Sequence, residues 1–398
     1  MSLDVGRVRG LVPALGDGWV RFDATAGMQV PEQVVSAVTA ALRAPCAAPG
    51  GVFPASRRAA EIDEEARAAV ADVVGADPAG VVLGPHPAVL LGTLADALSE
   101  GWQLGDEVVV SRLDEAAYVA PWLAAARRRG TAVRWAEIEI ETCELPTWQF
   151  AELLDAPVRV VALTAASAQV GTRPEVAPIA EQARERGAFV VVDLTSAAPF
   201  APQDIAALGA DVVVLDAGAW GGPPVGALVF VDPSLLDELS RSSPDPSARG
   251  AHRLEWGPLP TAQLAGLVAS VEHLAGLDET AGGTRRERVL ASMAALEDYH
   301  SRLVSDLLDG LWATPVSVIG RPARRVPLLS VTHEAVKPTD AVEHLAERGI
   351  CTFADPGEQG VLGHLGSAEI GGAIRIGFAH YTSPAEVSLL VDALLSLS

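Results

Sequence analysis

A chain of 398 residues with 49% hydrophobic content has enough apolar material for a large core and for more than one domain. Its formal net charge of −22 argues against nucleic acid and anionic membranes as partners, since both bind through basic patches. The three cysteines (Cys46, Cys143, Cys351) form no CxxC pair and the histidines form no HxxxH or HExxH pair, so a disulfide framework and a metal site are not expected.

No apolar run reaches the roughly 18 residues of a membrane-spanning helix. The N-terminus, MSLDVGRVRG, lacks the charged-then-apolar form of a signal peptide, so a cytoplasmic location is the expectation. Residues 1–20 read as an N-terminal arm. From Pro31, the apolar residues Val34, Val35, Val38, Ala41 and Leu42 recur at helical spacing. The stretch 44–55 is loop-like from its Pro and Gly content, and 57–74 reads as an amphipathic helix.

Beyond residue 80 strands and helices alternate. Strands are predicted at 81–83, 108–110, 132–135, 158–163, 189–192, 212–214 and 227–231. Helices are predicted near 87–99, 117–129, 174–187 and 202–208. Such alternation implies βαβ units and a mostly parallel sheet of about seven strands. The apolar run 212–215 has no polar alternation, which fits a strand buried on both faces. It opens into a loop rich in Gly and Pro, 216–226, at the strand end where α/β folds place ligands.

The large domain is taken to span 21–260. The stretch 233–250 reads as a mobile surface loop. A smaller α+β domain is predicted over 261–398. It has helices within 261–310, near 339–348 and near 384–396, and short strands at 316–319, 327–332, 350–353 and 373–378. Lys337, in THEAVKPTD, is the sole lysine of the chain and reads as part of a surface loop. No P-loop is present, because GAWGGPPVG lacks GK[ST].

Four stretches carry a family resemblance: FVVVDLTSAAPF at 189–200, PQDIAALGADVVVLDAGAWGGPPVGALVF at 202–230, GDEVVVS...APW at 105–122 and HYTSPAEV at 380–387. In this order the chain resembles class V aminotransferases, and cysteine desulfurases in particular, over nearly its whole length. These are fold-type I enzymes that use pyridoxal 5′-phosphate (PLP). The resemblance implies an α/β large domain with a seven-stranded, mostly parallel sheet, a smaller α+β domain, and a homodimer.

It also implies site residues. Asp193 falls where the family pairs a carboxylate with the cofactor's ring nitrogen. The interval from it to Ala219, 26 residues (219 − 193), puts Ala219 at the lysine position. Gly218 stands in place of a histidine, and Asp216 in place of a serine that contacts the phosphate. Pro87 and Ala88 replace hydroxyl residues that also hold it. Glu115 replaces a ring-stacking histidine, Ala168 an asparagine, and Ser196 a glutamine or histidine. No cysteine lies in TFADPGE at 352–358 to take sulfur. Arg375 falls where the family places a guanidinium for the substrate carboxylate, a task suited to its planar fork; an inter-domain ion pair is the other reading. LEWG at 254–257 keeps the family's Glu-x-Gly. A helix N-terminus near 86–88 still offers backbone N–H groups to an anion, although Pro87 lacks one.

Three functions follow as expectations. One is a degenerate binding or regulatory protein without standard imine chemistry, taking an amino acid or carboxylate and holding PLP non-covalently at best. Another is an enzyme acting on a preformed PLP–amino acid adduct, with Asp216 or Glu115 as general base. The third is a pocket repurposed for a different ligand. In the second, the cluster Asp114, Glu115, Asp193 and Asp216 raises its members' pKa values; the plainer reading is that Asp114 and Glu115 cap the helix that follows.

Overall fold

The computed structural model describes residues 3–397. The strands, in chain order, are β1 (Val20–Arg21), β2 (Val81–Gly84), β3 (Glu107–Ser111), β4 (Ala132–Ala136), β5 (Val158–Thr164), β6 (Phe189–Asp193), β7 (Val212–Asp216), β8 (Gly226–Phe230), β9 (Val316–Val318), β10 (Leu328–His333), β11 (Ile350–Cys351), β12 (Phe353–Asp355) and β13 (Ala373–Gly377). Seven of them form one sheet in the order β2-β8-β7-β6-β5-β3-β4. Only β8 runs against its neighbours; the pairs from β7 to β4 are parallel. The β-branched runs of β2, β6, β7 and β8 are buried on both faces, as near-continuous apolar strands of covered sheets are.

Helix ends follow local chemistry. Pro54 opens the helix Pro54–Val74, and Gly75 closes it at φ 75°, a left-handed conformation glycine adopts without strain. Thr284 with Glu287, and Ser383 with Glu386, form capping boxes at the helices Arg285–Gly310 and Pro384–Leu395. The predicted helical span 261–310 is two helices, Thr261–Ala275 and Arg285–Gly310. The first packs along the helices Glu32–Arg43 and Pro54–Val74.

The remaining strands depart from expectation in one place. The segment 350–353 does not form a single strand. Ile350–Cys351 pairs in parallel with β1, while Phe353 begins β12 in an antiparallel sheet of order β12-β13-β10-β9. The chain from 1 to 20 carries a helix, Val5–Gly10, and a tighter helical turn, Pro13–Asp17. Within 233–250 a helical turn, Leu235–Glu238, buries Leu236 completely, so this stretch is not wholly an exposed loop.

Two contacts fix how the sheets meet. Gly171 has φ 73°, and a Cβ there would lie 2.2 Å from the Leu328 carbonyl oxygen, so only glycine lets the loop after β5 approach β10. Ser330 Oγ donates to the Gln169 carbonyl oxygen at 2.6 Å beside it. Elsewhere, Glu255 of the LEWG segment accepts from Arg67 Nη1 (2.9 Å), Arg67 Nη2 (3.1 Å) and the Leu83 amide (2.9 Å). This buried cluster holds β2 in place just before the chain turns at His86.

Loss of one partner leaves the other's charge stranded. Glu255→Ala is therefore expected to cost about 3 kcal/mol, the lower end for a broken buried pair because Asp63 still holds Arg67. The exposed pair Arg128–Asp96 should cost under about 1 kcal/mol on Asp96→Ala. Urea unfolding of both variants measures this; equal losses would contradict it.

Candidate active site

The parallel strands deliver acidic residues to one edge of the sheet. Asp193 ends β6 and Asp216 ends β7, and the register sets Thr164 of β5 opposite Asp193. Asp216 begins a helical turn, Ala217–Trp220, and its Oδ1 accepts the Gly218 amide at 2.9 Å. Trp220 is buried and donates from Nε1 to Ser270 Oγ at 3.1 Å, which anchors the turn to the helix Thr261–Ala275. Ala219, between them, faces a cavity of about 370 Å³.

That cavity brings together five of the predicted residues: Glu115, Ser196, Asp216, Gly218 and Ala219. Among the others that line it are four polar or titratable side chains without an assigned site role in the sequence analysis: Thr25, His86, Tyr118 and Thr195. A second lobe of about 490 Å³ shares Thr25, Ala26 and Glu115 with the first and contains Arg375, Asp355 and Gln169. Asp193, Ala88 and Ala168 line neither lobe. Lys337 is exposed, at the start of the helix Pro338–Glu347. It lies beyond the far end of β10, whose first residue, Leu328, borders the cavity; five residues of strand separate the ends of β10 by roughly 17 Å.

Asp193 sits behind the cavity wall. Its Oδ1 accepts the Thr195 amide at 2.8 Å, and Thr164 Oγ1 is 3.4 Å from Oδ2. Burial pushes its carboxyl up to about 7 against these hydrogen bonds, and Glu115 adds to the rise. Asp114 does not cap the following helix: Ser111 Oγ donates to it, and burial, with Asp193 adding, raises it to about 8. Glu115 holds the N-cap position but makes no capping bond. It points between the lobes, raised by burial while Arg375 opposes the shift and Asp216 and Asp355 add to it. Asp216 is raised by burial, with the Gly218 amide and His86 working against it. Tyr118 is also pushed well above its ordinary range by burial.

The N-terminus of the helix Pro87–Ser99 is closed. His86 Nδ1 accepts the Ala88 amide at 3.1 Å, and the His86 carbonyl accepts from Val89 (3.1 Å) and Leu90 (3.2 Å). Pro87 has no N–H. The amides of Ala88, Val89 and Leu90 are thus bonded within the chain. No arrangement of three or more His, Cys, Asp or Glu suits a metal ion among the described residues. Arg375, in the middle of β13, donates from Nη1 to Asp355 Oδ2 (3.0 Å) and from Nη2 to the Ala168 carbonyl (2.6 Å). That places an ion pair within the small sheet and a bond from it to the loop after β5.

A two-lobed cleft at the carboxyl edge of a seven-stranded, mostly parallel sheet, beside a small antiparallel sheet, is the architecture of fold-type I PLP enzymes. The chain belongs to the family "Aminotransferase class-V", whose sequence model matches residues 20–390. An uncharacterized protein of Mycobacterium tuberculosis is 48% identical over 100% of both chains. A probable cysteine desulfurase of Streptomyces coelicolor is 26% identical over 95% of this chain and 92% of its own. Among solved structures, the apo cysteine desulfurase of Thermococcus onnurineus NA1 superposes with a TM-score of 0.88 at 22% identity, covering 99% of this chain and 98% of that one.

The titration of Asp193 has a sign that can be tested. Its carboxyl moves from 3.8 when unfolded to about 7 when folded, so the folded state holds the proton more tightly. Its contribution to stability is complete below the unfolded value and lost as pH rises through the folded one. The stability advantage of wild type over Asp193→Asn should therefore fall by about 3 kcal/mol between pH about 5 and about 8 in urea titrations. A difference independent of pH would refute the raised value.

Proposed function

We propose that this chain is a cysteine desulfurase-like member of its family that carries out no imine chemistry and works as a binding or regulatory protein. One observation carries the reading: no amine lines either lobe of the cleft, and Ala219 occupies the turn after β7 that the family's lysine would occupy. The cofactor fits poorly in other respects. The amides at 87–90 are spent, Asp216 puts a carboxylate into the cavity, and Thr195 stands between the cavity and Asp193. No cysteine lies at 352–358, and Cys351, on β11, is raised by burial rather than held as a thiolate. Arg375 spends one donor of each terminal nitrogen within the chain and its Nε is buried without a partner, so a carboxylate ligand would share the guanidinium with Asp355.

A second reading rests on Glu115. It borders both lobes, its carboxylate has no hydrogen-bond partner among the described residues, and it is raised by burial, which suits a general base working nearer neutrality. We also propose a homodimer. Val52 (88% exposed), Phe53 (53%) and Trp256 (73%) present large apolar side chains, and the loops 44–55 and 254–258 that carry them adjoin.

Incubating the protein with PLP and then borohydride tests the main reading. No imine band and no added mass on the intact chain are expected. A reduced adduct on Lys337, or on any other side chain of the unmodified protein, would overturn it. If Glu115 is a base instead, Glu115→Gln should abolish turnover of whatever substrate the wild type is found to process, with pH dependence lost as well.

A further inference from the structure

The site proposed above has an anion position that the chain fills with its own groups. A helix N-terminus of this length ordinarily presents several free N–H groups and a partial positive charge. Here the helix Pro87–Ser99 points its N-terminus at the cavity through His86, yet it has no free amide to give. Pro87 lacks a donor, Ala88 bonds the His86 ring, and Val89 and Leu90 share the His86 carbonyl. Space there is closed as well. Gly226 of β8 lies so near that a Cβ on it would be 2.6 Å from the Pro87 nitrogen.

The second element of the plug is Asp216. Its carboxylate lines the same cavity and is oriented by the Gly218 amide, the next backbone donor that an incoming anion could have used. His86 is close enough to Asp216 to favour its charged form. Histidine and aspartate together therefore engage the nearby backbone amides, and aspartate supplies negative charge. Glu115, which also lines this cavity, adds a second carboxylate, and that carboxylate has no hydrogen-bond partner among the described residues.

We propose that Asp216 and His86 plug the anion position of this cleft, so that it accepts small amines without a phosphate and rejects their phosphorylated counterparts. This inference builds on the reading above that the cleft binds a ligand without forming an imine. It concerns a different feature from residue 219, so the two can fail separately.

A matched pair of probes isolates the phosphate: pyridoxamine and pyridoxamine 5′-phosphate, titrated by calorimetry into the full chain. Wild type should prefer pyridoxamine. In the double variant His86→Ala, Asp216→Asn the Ala88 amide is freed and one charge removed, while the carboxamide oxygen introduced at position 216 still accepts from the Gly218 amide. That variant should gain affinity for the phosphorylated probe by at least roughly tenfold, the scale of one partly screened charge contact. Inorganic phosphate supplies a second readout, since a ligand that binds only the folded state raises the melting temperature. Phosphate should stabilise the double variant and leave wild type unmoved; melting without phosphate shows that the variant is folded. Wild type preferring the phosphorylated probe would overturn the proposal. So would a folded double variant that gains nothing from phosphate in either assay.

Discussion

Burial of carboxylates at one edge of a parallel sheet, with no lysine to meet them, is the constraint from which the rest of this site follows. Strands β5, β6 and β7 run side by side, so their last residues must lie together, and two of those residues are Asp193 and Asp216. An ion moved from water to such a place costs several kcal/mol unless it is paired. The chain meets that cost in two ways. Asp193 and Asp114, deep in the wall, retain protons into the neutral range, as burial dictates. Asp216, nearer the opening, keeps the Gly218 amide and His86 beside it. Each aspartate is thus handled by its depth, and none requires a cofactor for its stability.

The scaffold around these groups is held by contacts that have nothing to do with chemistry on a ligand. Trp220 moors the turn bearing Ala219 to the helix Thr261–Ala275. Glu255 ties β2 to Arg67, and so fixes the turn at His86. Gly171 lets the loop after β5 press on β10 and brings the Ala168 carbonyl to Arg375. Fold and function separate here in the way expected when a site is grafted on a stable frame. None of residues 87, 88, 216 and 219 belongs to these anchors, so the frame does not depend on them.

Much of the frame was legible in the sequence. Runs such as VVVD at 190–193 and VVVLD at 212–216 admit few readings other than buried strands, and the long crossover between them, with its helical turn Ile205–Leu208, suits parallel neighbours. The cleft was partly legible, because residues that end adjacent strands or begin the following helices must converge; Glu115, Ser196, Asp216 and Ala219 do. What the sequence concealed depends on side-chain direction. His86 precedes a proline and looks like an ordinary loop residue until its ring turns back onto the Ala88 amide. Asp114 looks like a helix cap but points inward to Ser111. Thr195 is two residues from Asp193, and only the backbone geometry sets it across the cavity wall. Asp355 was invisible as the partner of Arg375, because the split of 350–355 between two sheets was not encoded in its hydrophobic pattern.

Which of the losses matters more can be weighed by magnitude. A restored amine at 219 would offer a covalent bond, but the group it holds must still lie in the cleft as built. A phosphate dianion about 4 Å from Asp216 meets repulsion of about 1 kcal/mol per charge pair in water and about 4 kcal/mol at the effective dielectric of a half-buried site. To that is added the desolvation of phosphate oxygens left without donors, about 1–3 kcal/mol for each unmet group. The sum rivals the entire binding free energy of a micromolar ligand, about 8 kcal/mol. In the proposed reading, the missing lysine bears on the imine, while the carboxylate and the bonded amides bear on the place for a phosphate. A chain that had lost the amine alone would keep an open anion cup. In the proposed reading this one has its cup filled by His86 and Asp216, which both line the cavity.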